Sequence, residues 1–216
     1  MSHPAARHAT AVIDEGATVG EGTAVWHFSH VMGGAVIGAR CSLGQGCFVA
    51  DGATLGDRVK VQNHVSIYGG TTIEDDVFLG PSCVLTNVSN PRAQVNRRAL
   101  YEATRIRRGA TVGANATVVC GTTLGRYAFV AAGAVVTGDV PDYALMVGVP
   151  ARRVGWMSRH GHRLSLHAVG DEAPCPESGL RYAWTEDGVR GLDVAEDAPL
   201  PDALTVGQFR YREVDA

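Results

Sequence analysis

From Ile13 onward every sixth residue is aliphatic: Ile13, Val19, Val25, Val31, Ile37, Leu43, Val49, Leu55, Val61, Ile67, Ile73, Leu79 and Leu85. Four positions after each stop comes a small or β-branched residue, as in Ala17, Thr23, Ser29, Cys41, Cys47, Val59 and Cys83. Glycine often follows the aliphatic stop directly (Gly20, Gly38, Gly44, Gly56, Gly80). No amphipathic helix keeps a strict period of six, because its stripe drifts around a 3.6-residue turn. A hexapeptide repeat is the signature of a parallel β-helix. Each block predicts one short strand and one corner, and three blocks close a coil. Residues eighteen apart then stack, and each coil buries its faces only against its neighbours.

The period breaks after Leu85. Residues 86–105 have no six-residue register and hold Arg92, Arg97, Arg98 and Arg105. The ladder resumes at Ile106 and runs through Val112, Val118, Leu124, Val130 and Val136. So long an insertion in a regular solenoid points to a loop with a function. The expected organisation is a lead-in at 1–12, a β-helix at 13–141 with the inserted loop 86–105, an extension at 142–162, and a tail at 163–216. A short helix is expected to start near Trp156, Met157 and Arg159. The tail turns acidic, and Cys175 to Trp184 with Asp187-Gly188 reads as a β-hairpin docked on that helix.

Composition then narrows the function. A net charge of −3 with 19% charged residues gives no electrostatic case for a nucleic-acid partner. No apolar run suits a signal peptide or a membrane span, so the expected location is cytoplasmic, with no membrane partner. Of the five cysteines, Cys41, Cys47 and Cys83 fall on the inward small position and pack the core. Cys120 falls on an outward position, as a nucleophile or a covered interface residue. Cys175 lacks a CxxC partner, so no metal site is expected.

Stacking by eighteen sorts the outward residues. The first face, on Val19, Ile37, Leu55 and Ile73, carries Glu21, Arg40, Asp57, Arg58, Lys60, Glu74 and Asp75 and suits open solvent. The second, on Val25, Leu43, Val61 and Leu79, carries a wall of Trp26, His27, Gln45, Gln62, Asn63 and His64. The third, on Val31, Val49, Ile67 and Leu85, presents Met32, Tyr68, Thr86 and Asn87. A wall of aromatic, amide and imidazole groups makes interface or ligand surface. Three prisms about a three-fold axis would bury it and leave three equivalent clefts.

Several motifs then carry a resemblance, over roughly residues 10–162. They are the hexads, AAGAVV at 131–136, DVP, and VGVPA at 147–151, with Trp26-His27-Phe28, Gln62-Asn63, GPS at 80–82, Thr86-Asn87-Val88, Asn90-Pro91-Arg92 and GWMSRHG at 155–161. The chain resembles the left-handed β-helix acyltransferases, and most of all the bacterial UDP-2-acetamido-3-amino-2,3-dideoxy-glucuronate 3-N-acetyltransferases of surface-polysaccharide synthesis. The resemblance implies an all-β fold, a left-handed parallel β-helix, trimeric, with an inserted loop and a small C-terminal appendage. It also implies acetyl-CoA as co-substrate, a UDP-linked amino sugar as acceptor, and sites between subunits of a homotrimer.

By the same resemblance Asn87 is the catalytic candidate, its side-chain oxygen aiming the acceptor amine. His27 and His64 are rival general bases, because imidazole titrates near neutral pH. Ala114, Ala132 and Gly133 are cofactor-binding positions, the last two lending N–H groups to the thioester carbonyl or the pantetheine amides. Arg152 and Arg153 suit the CoA phosphates. Gln62, Asn63, Tyr68 and Arg92 are the substrate-binding candidates. Three alternatives stay open: a different acetyl acceptor (a 4-amino sugar or a sugar hydroxyl), a non-catalytic assembly module, and a γ-type carbonic anhydrase, for which His27, His30 and His64 have the wrong spacing.

Overall fold

The protein is described over residues 7–214 of a computed structural model. Its body is a parallel β-helix of stacked three-strand coils. The first face is a six-stranded sheet whose strands run from Thr18–Val19 through Thr71–Ile73 and Thr104–Ile106 to Thr123–Leu124. The third is seven-stranded, from Val12–Ile13 to Val135–Val136. The second begins at Ala24–Val25 and ends beyond the coil, where Ala144–Val147, Arg152–Met157 and Arg163–Leu164 extend it to nine strands. Thr18 pairs with Val36 and Ser42 with Lys60, the expected stack of eighteen. The aliphatic ladder from Val25 to Val136 lines the interior and is buried throughout.

The inward small positions have a second task. The Thr23 hydroxyl donates to Gly38 O (2.8 Å) and accepts the Cys41 N–H (3.0 Å). Ser29 does the same between Gly44 O and the Cys47 N–H. The Cys41 and Cys47 thiols donate to Gly56 O and Gln62 O, each at 3.1 Å. Small polar side chains thus satisfy corner groups that the strands leave unpaired. All five cysteines are free and buried. Burial pushes the Cys41 and Cys47 thiols up, and Cys83 up to about 12.

The glycine after each aliphatic stop is explained by the corner of the next coil. A Cβ on Gly38 would lie 2.5 Å from Asp57 Oδ1, one on Gly44 2.5 Å from Asn63 Oδ1, and one on Gly125 2.5 Å from Asp142 Oδ1. Those oxygens accept backbone N–H groups: Ala39 to Asp57 (2.8 Å), Gln45 to Asn63 (2.9 Å) and Arg126 to Asp142 (2.8 Å). The side chain that caps one coil therefore fills the space that a Cβ on the coil before would need.

Several expectations change. Trp156 and Met157 belong to the strand Arg152–Met157, not to a helix. The end of the solenoid leaves Ala144–Val147 as an open edge, and Arg152–Met157 pairs with it antiparallel, covering the edge. The tail hairpin exists, from Arg181–Thr185 to Gly188–Gly191, but Glu172–Pro174 makes it three-stranded. It docks on the last coil rather than on a helix. Tyr182 meets Tyr143 edge-on, and Glu196 accepts the Tyr143 hydroxyl (2.5 Å) while lying 3.5 Å from Arg159. The lead-in is partly coil: Arg7 bridges to Val25, and a strand starts at Val12. Residues 1–6, and the last residues of the acidic tail, lie outside the described residues. Lys60 projects from the second face, since it pairs with Ser42 and Phe78. Cys120 is buried within its own chain. Among the described residues no helix is long and apolar enough to cross a membrane.

Candidate functional site

The expected polar wall is a corner rather than a flat face. Where the second face meets the third, the chain turns at His27-Phe28, Gln45-Gly46, Asn63-His64, Pro81-Ser82, Ala114-Asn115 and Ala132-Gly133. The second residue of every pair is left-handed, with φ of 58° at Phe28, 60° at His64 and 69° at Gly133. That conformation throws Phe28 outward (67% exposed) and lays the His64 ring over Gly46. His27 is half-buried beneath His8, with ring centroids 3.5 Å apart. Trp26, His27, Gln45, Gln62 and Asn63 border a hollow of about 300 Å³.

One rule governs the backbone of this corner. The second N–H of each pair donates to the coil before: His64 to Gln45 O (2.9 Å), Asn115 to Pro81 O (3.0 Å) and Gly133 to Ala114 O (2.9 Å). The Gly133 N–H is therefore spent, which corrects the expectation that it serves a ligand. The first N–H of a pair needs an Asn or Asp oxygen from the coil after, as Gln45 receives from Asn63. The stacked positions beyond Asn63 are Pro81, Ala114 and Ala132, which have no such oxygen. Asn63, facing Pro81, and Ala114, facing Ala132, thus keep N–H groups with no protein acceptor among the described residues, as does Ala132 at the last corner. Gly80 and Gly113 hold those groups close, since a Cβ on either would come within 2.6 Å of the Ala114 or Ala132 nitrogen.

Asn63 has its Oδ1 committed to the Gln45 N–H, so only its side-chain NH2 faces the hollow it borders as a donor. Tyr68 lies on the third face, packed edge-on against Phe48, which in turn meets His30. His30 Nε2 sits 3.1 Å from Asp14. Among the described residues no three histidine, cysteine or acidic side chains are placed to hold a metal. Arg152 and Arg153 are exposed at the end of the stack. The Arg153 guanidinium lies 4.1 Å from the Trp156 ring centroid and 5.2 Å from that of Trp184.

Asn87 stands on the far edge of the third face from the His64 corner. It is half-buried where the coil gives way to the inserted loop. One chain therefore brings Trp26, His27, Gln62 and Asn63 together but does not bring Asn87 or Tyr68 to them. Glu102, which the sequence did not single out, closes the base of the loop. Its N–H donates to Asn87 O (3.0 Å), its carboxylate accepts the Ser89 hydroxyl, and Cys120 Sγ lies 3.8 Å from it. The available signal was an acid in a stretch otherwise rich in arginine.

Two family models match this chain. The bacterial transferase hexapeptide model (six repeats) matches residues 16–51, and the hexapeptide repeat of succinyl-transferase matches residues 104–138. Both models describe the hexapeptide repeat of bacterial transferases, and together they match about a third of this chain. This hexapeptide-repeat chain is 40% identical over 89 residues to the dTDP-3-amino-3,6-dideoxy-alpha-D-galactopyranose 3-N-acetyltransferase of Aneurinibacillus thermoaerophilus, covering 41% of this chain and 44% of that protein. It is 35% identical over 129 residues to the bifunctional protein GlmU of Thermosynechococcus vestitus, covering 60% of this chain and 26% of that protein. It thus spans less than half the length of either curated relative. The crystal structure of a hexapeptide transferase family protein from Anaplasma phagocytophilum shares the fold, with a TM-score of 0.51 at 21% identity over 73% of this chain and 86% of that one.

Proposed function

We propose that the protein is an acetyl-CoA-dependent N-acetyltransferase acting on the C3 amine of a nucleotide-linked amino sugar. The acceptor we favour is a UDP-linked diamino-glucuronate precursor of surface polysaccharide. The enzyme works in the cytoplasm as a homotrimer with its sites between copies. The observation that carries this reading is the pair of unpaired N–H groups at Ala114 and Ala132. Stacked coils repeat every ~4.8 Å, so these donors form a short row along the prism axis. An extended pantetheine arm offers amide and thioester carbonyls to such a row, with the phosphates of CoA reaching Arg152 and Arg153 at the end of the stack. The similarity to a sugar 3-N-acetyltransferase supports the choice of an amine at C3.

In the proposed mechanism the acceptor amine arrives neutral. The Asn87 side-chain oxygen accepts one amine hydrogen and aims the nitrogen lone pair at the thioester carbon. As the C–N bond forms, negative charge develops on the thioester oxygen, and a backbone N–H of the corner row stabilises it. Collapse of the tetrahedral intermediate breaks the C–S bond. The departing CoA thiolate takes the extra proton from nitrogen, leaving the amide and free CoA. His27, Gln62, Tyr68 and Arg92 hold the sugar nucleotide, while His64 stands as the rival base. The test is CoA-thiol release against a panel of UDP- and dTDP-amino sugars, with Asn87→Ala beside the parent. We expect release with a 3-amino sugar and a turnover loss of about 10²-fold in Asn87→Ala. Release with no amino sugar would sink the reading, and full turnover in the variant would remove Asn87 from the mechanism.

A further inference from the structure

The inserted loop contains a hollow of its own, of about 650 Å³, lined by Val88, Arg92, Val95, Arg97, Arg98 and Tyr101 among others. Its charge is unusual for this molecule. On the solenoid and the tail many arginines are answered: Arg58 by Asp76, Arg108 by Asp75 and Asp76, and Arg181 by Asp193, while Arg105 at the loop's end is held by Glu74. Among the described residues, those lining the loop hollow have no carboxylate partner. The Arg92 guanidinium donates to the carbonyl of Pro91 (3.2 Å), and among the described residues neither Arg97 nor Arg98 makes an ion pair. Arg97 is half-buried, and its Nε is out of solvent with no hydrogen-bond partner. The one acid of the loop, Glu102, is turned to Ser89 and Cys120. Tyr101 is 48% exposed beside the arginines, and Val95 46%.

Three arginines lining one hollow with no acid among its lining residues, one of them with a buried unsatisfied donor, leave room for an anion with several oxygens. An exposed aromatic ring beside them suits a planar base. We infer that the loop hollow binds the nucleoside diphosphate of the acceptor, with Arg97 and Arg98 joining Arg92 on the phosphates and Tyr101 against the base. This rests on the reading of the protein as a nucleotide-sugar acetyltransferase. CoA also carries a diphosphate, but the proposed row for its arm lies at the other edge of the third face, while the hollow adjoins Asn87.

The experiment is calorimetric titration of the full chain with UDP, UMP, inorganic pyrophosphate and CoA, in the parent and in Arg97→Ala, Arg98→Ala and Arg97→Lys. UDP should bind more tightly than UMP, and each alanine variant should weaken UDP binding by about tenfold, with CoA binding unchanged. Arg97→Lys should recover only part of the loss, because an ammonium lacks the planar fork. No UDP binding by the parent, or equal UDP binding in the alanine variants, would overturn the inference, as would a loss confined to CoA. Acetyl transfer with an unchanged acceptor KM in the alanine variants would defeat the loop site and leave the acetyltransferase reading standing. UDP binding that depends on Arg97, with no transfer to any amino sugar, would do the reverse.

Discussion

Replacing Glu102 with alanine tests whether the loop base positions Asn87. The carboxylate accepts the Ser89 hydroxyl and approaches the Cys120 thiol, while the Glu102 N–H holds the Asn87 carbonyl. Truncation removes the side-chain contacts and leaves the backbone one. An ordinary hydrogen bond is worth about 0.5–1.5 kcal/mol net, and one to a charged group about 1.5–3 kcal/mol. Glu102 is exposed, so the lower part of that range applies, and loss of the pair costs the closed loop about 2 kcal/mol. That corresponds to about a 30-fold shift toward an open base. The aliphatic ladder on either side does not touch Glu102, so the thermal midpoint should not move. Two assays read the effect independently. Turnover, followed by CoA-thiol release, should fall about 30-fold at unchanged acetyl-CoA KM. Trypsin should cut after Arg92, Arg97 and Arg98 faster by a similar factor. Glu102→Gln keeps an acceptor for Ser89 and should lie close to the parent in both. Parent-like cutting and turnover in Glu102→Ala would refute the positioning role. Faster cutting with full turnover would show that loop order does not matter to the chemistry.

Three further outcomes follow from the packing. Gly44→Ala would set a Cβ 2.5 Å from Asn63 Oδ1 and 2.7 Å from the Asn63 nitrogen; overpacking of this kind costs about 1–3 kcal/mol, so the melting temperature should drop by about 2–10 °C. Gly52→Ala meets nothing within 4 Å but sits at φ +73°, and should cost only the ~1 kcal/mol of an alanine forced left-handed; equal melting of the two variants would contradict the stacking argument. In the folded protein a disulfide reagent should modify none of the five buried cysteines within the minutes of a CoA-release assay, and rapid modification of any would show a coil that opens. Burial alone would raise the Glu74 carboxyl, but the Arg108 N–H (3.0 Å) and the Arg105 guanidinium (2.6 Å) outweigh it and hold it below the usual carboxylate range. A lowered folded value means that its contribution is complete above about pH 4.3 and fades as pH falls through the folded value. The urea midpoint of Glu74→Gln should therefore lie below the parent's at pH 7 and approach it near pH 3, and a gap that stays constant would count against this account.

The scaffold was legible because its period is strict and its inward positions are chemically uniform. The ladder from Ile13 to Val136 places every coil strand of the three faces, leaving only the three strands that extend the second face beyond the coil. The corners were legible only in part. Asn63 looked like a ligand contact because it is polar and points outward, yet its oxygen belongs to Gln45. A usable signal was present: a glycine after the aliphatic stop followed nineteen residues later by Asn or Asp, as in Gly38 with Asp57, Gly44 with Asn63 and Gly56 with Asp75. The segment Trp156–Met157 misled because an isolated stretch shows neither cap nor strand partner. The open edge at Ala144–Val147 decides its conformation, a tertiary effect that overrides local preference. Glu102 was unreadable for a related reason. Ser89 and Glu102 itself lie in the insertion, where the period gives no register to bring them to Cys120 on the resumed ladder.

The same regularity that makes the scaffold legible limits what one chain can assemble. In a solenoid each column of outward groups stays on one edge, because every coil repeats the geometry of the last. The unpaired N–H groups of Ala114 and Ala132 lie on the corner between the second and third faces, and Asn87 lies at the far edge of the third. The sheet between them carries Val12 and Val84, 55% and 47% exposed, with Phe48 packed between His30 and Tyr68. An acyl transfer that needs donors on the thioester oxygen and an acceptor on the incoming amine must bring the two edges to one point. A flat strand face cannot fold to do this, and the inserted loop starts beyond Leu85 on the Asn87 side. The remaining way is for the corner of one copy to stand against the Asn87 edge of another, which also covers the exposed valines and Phe28. On the proposed reading, a site shared between copies is therefore a requirement of the chemistry.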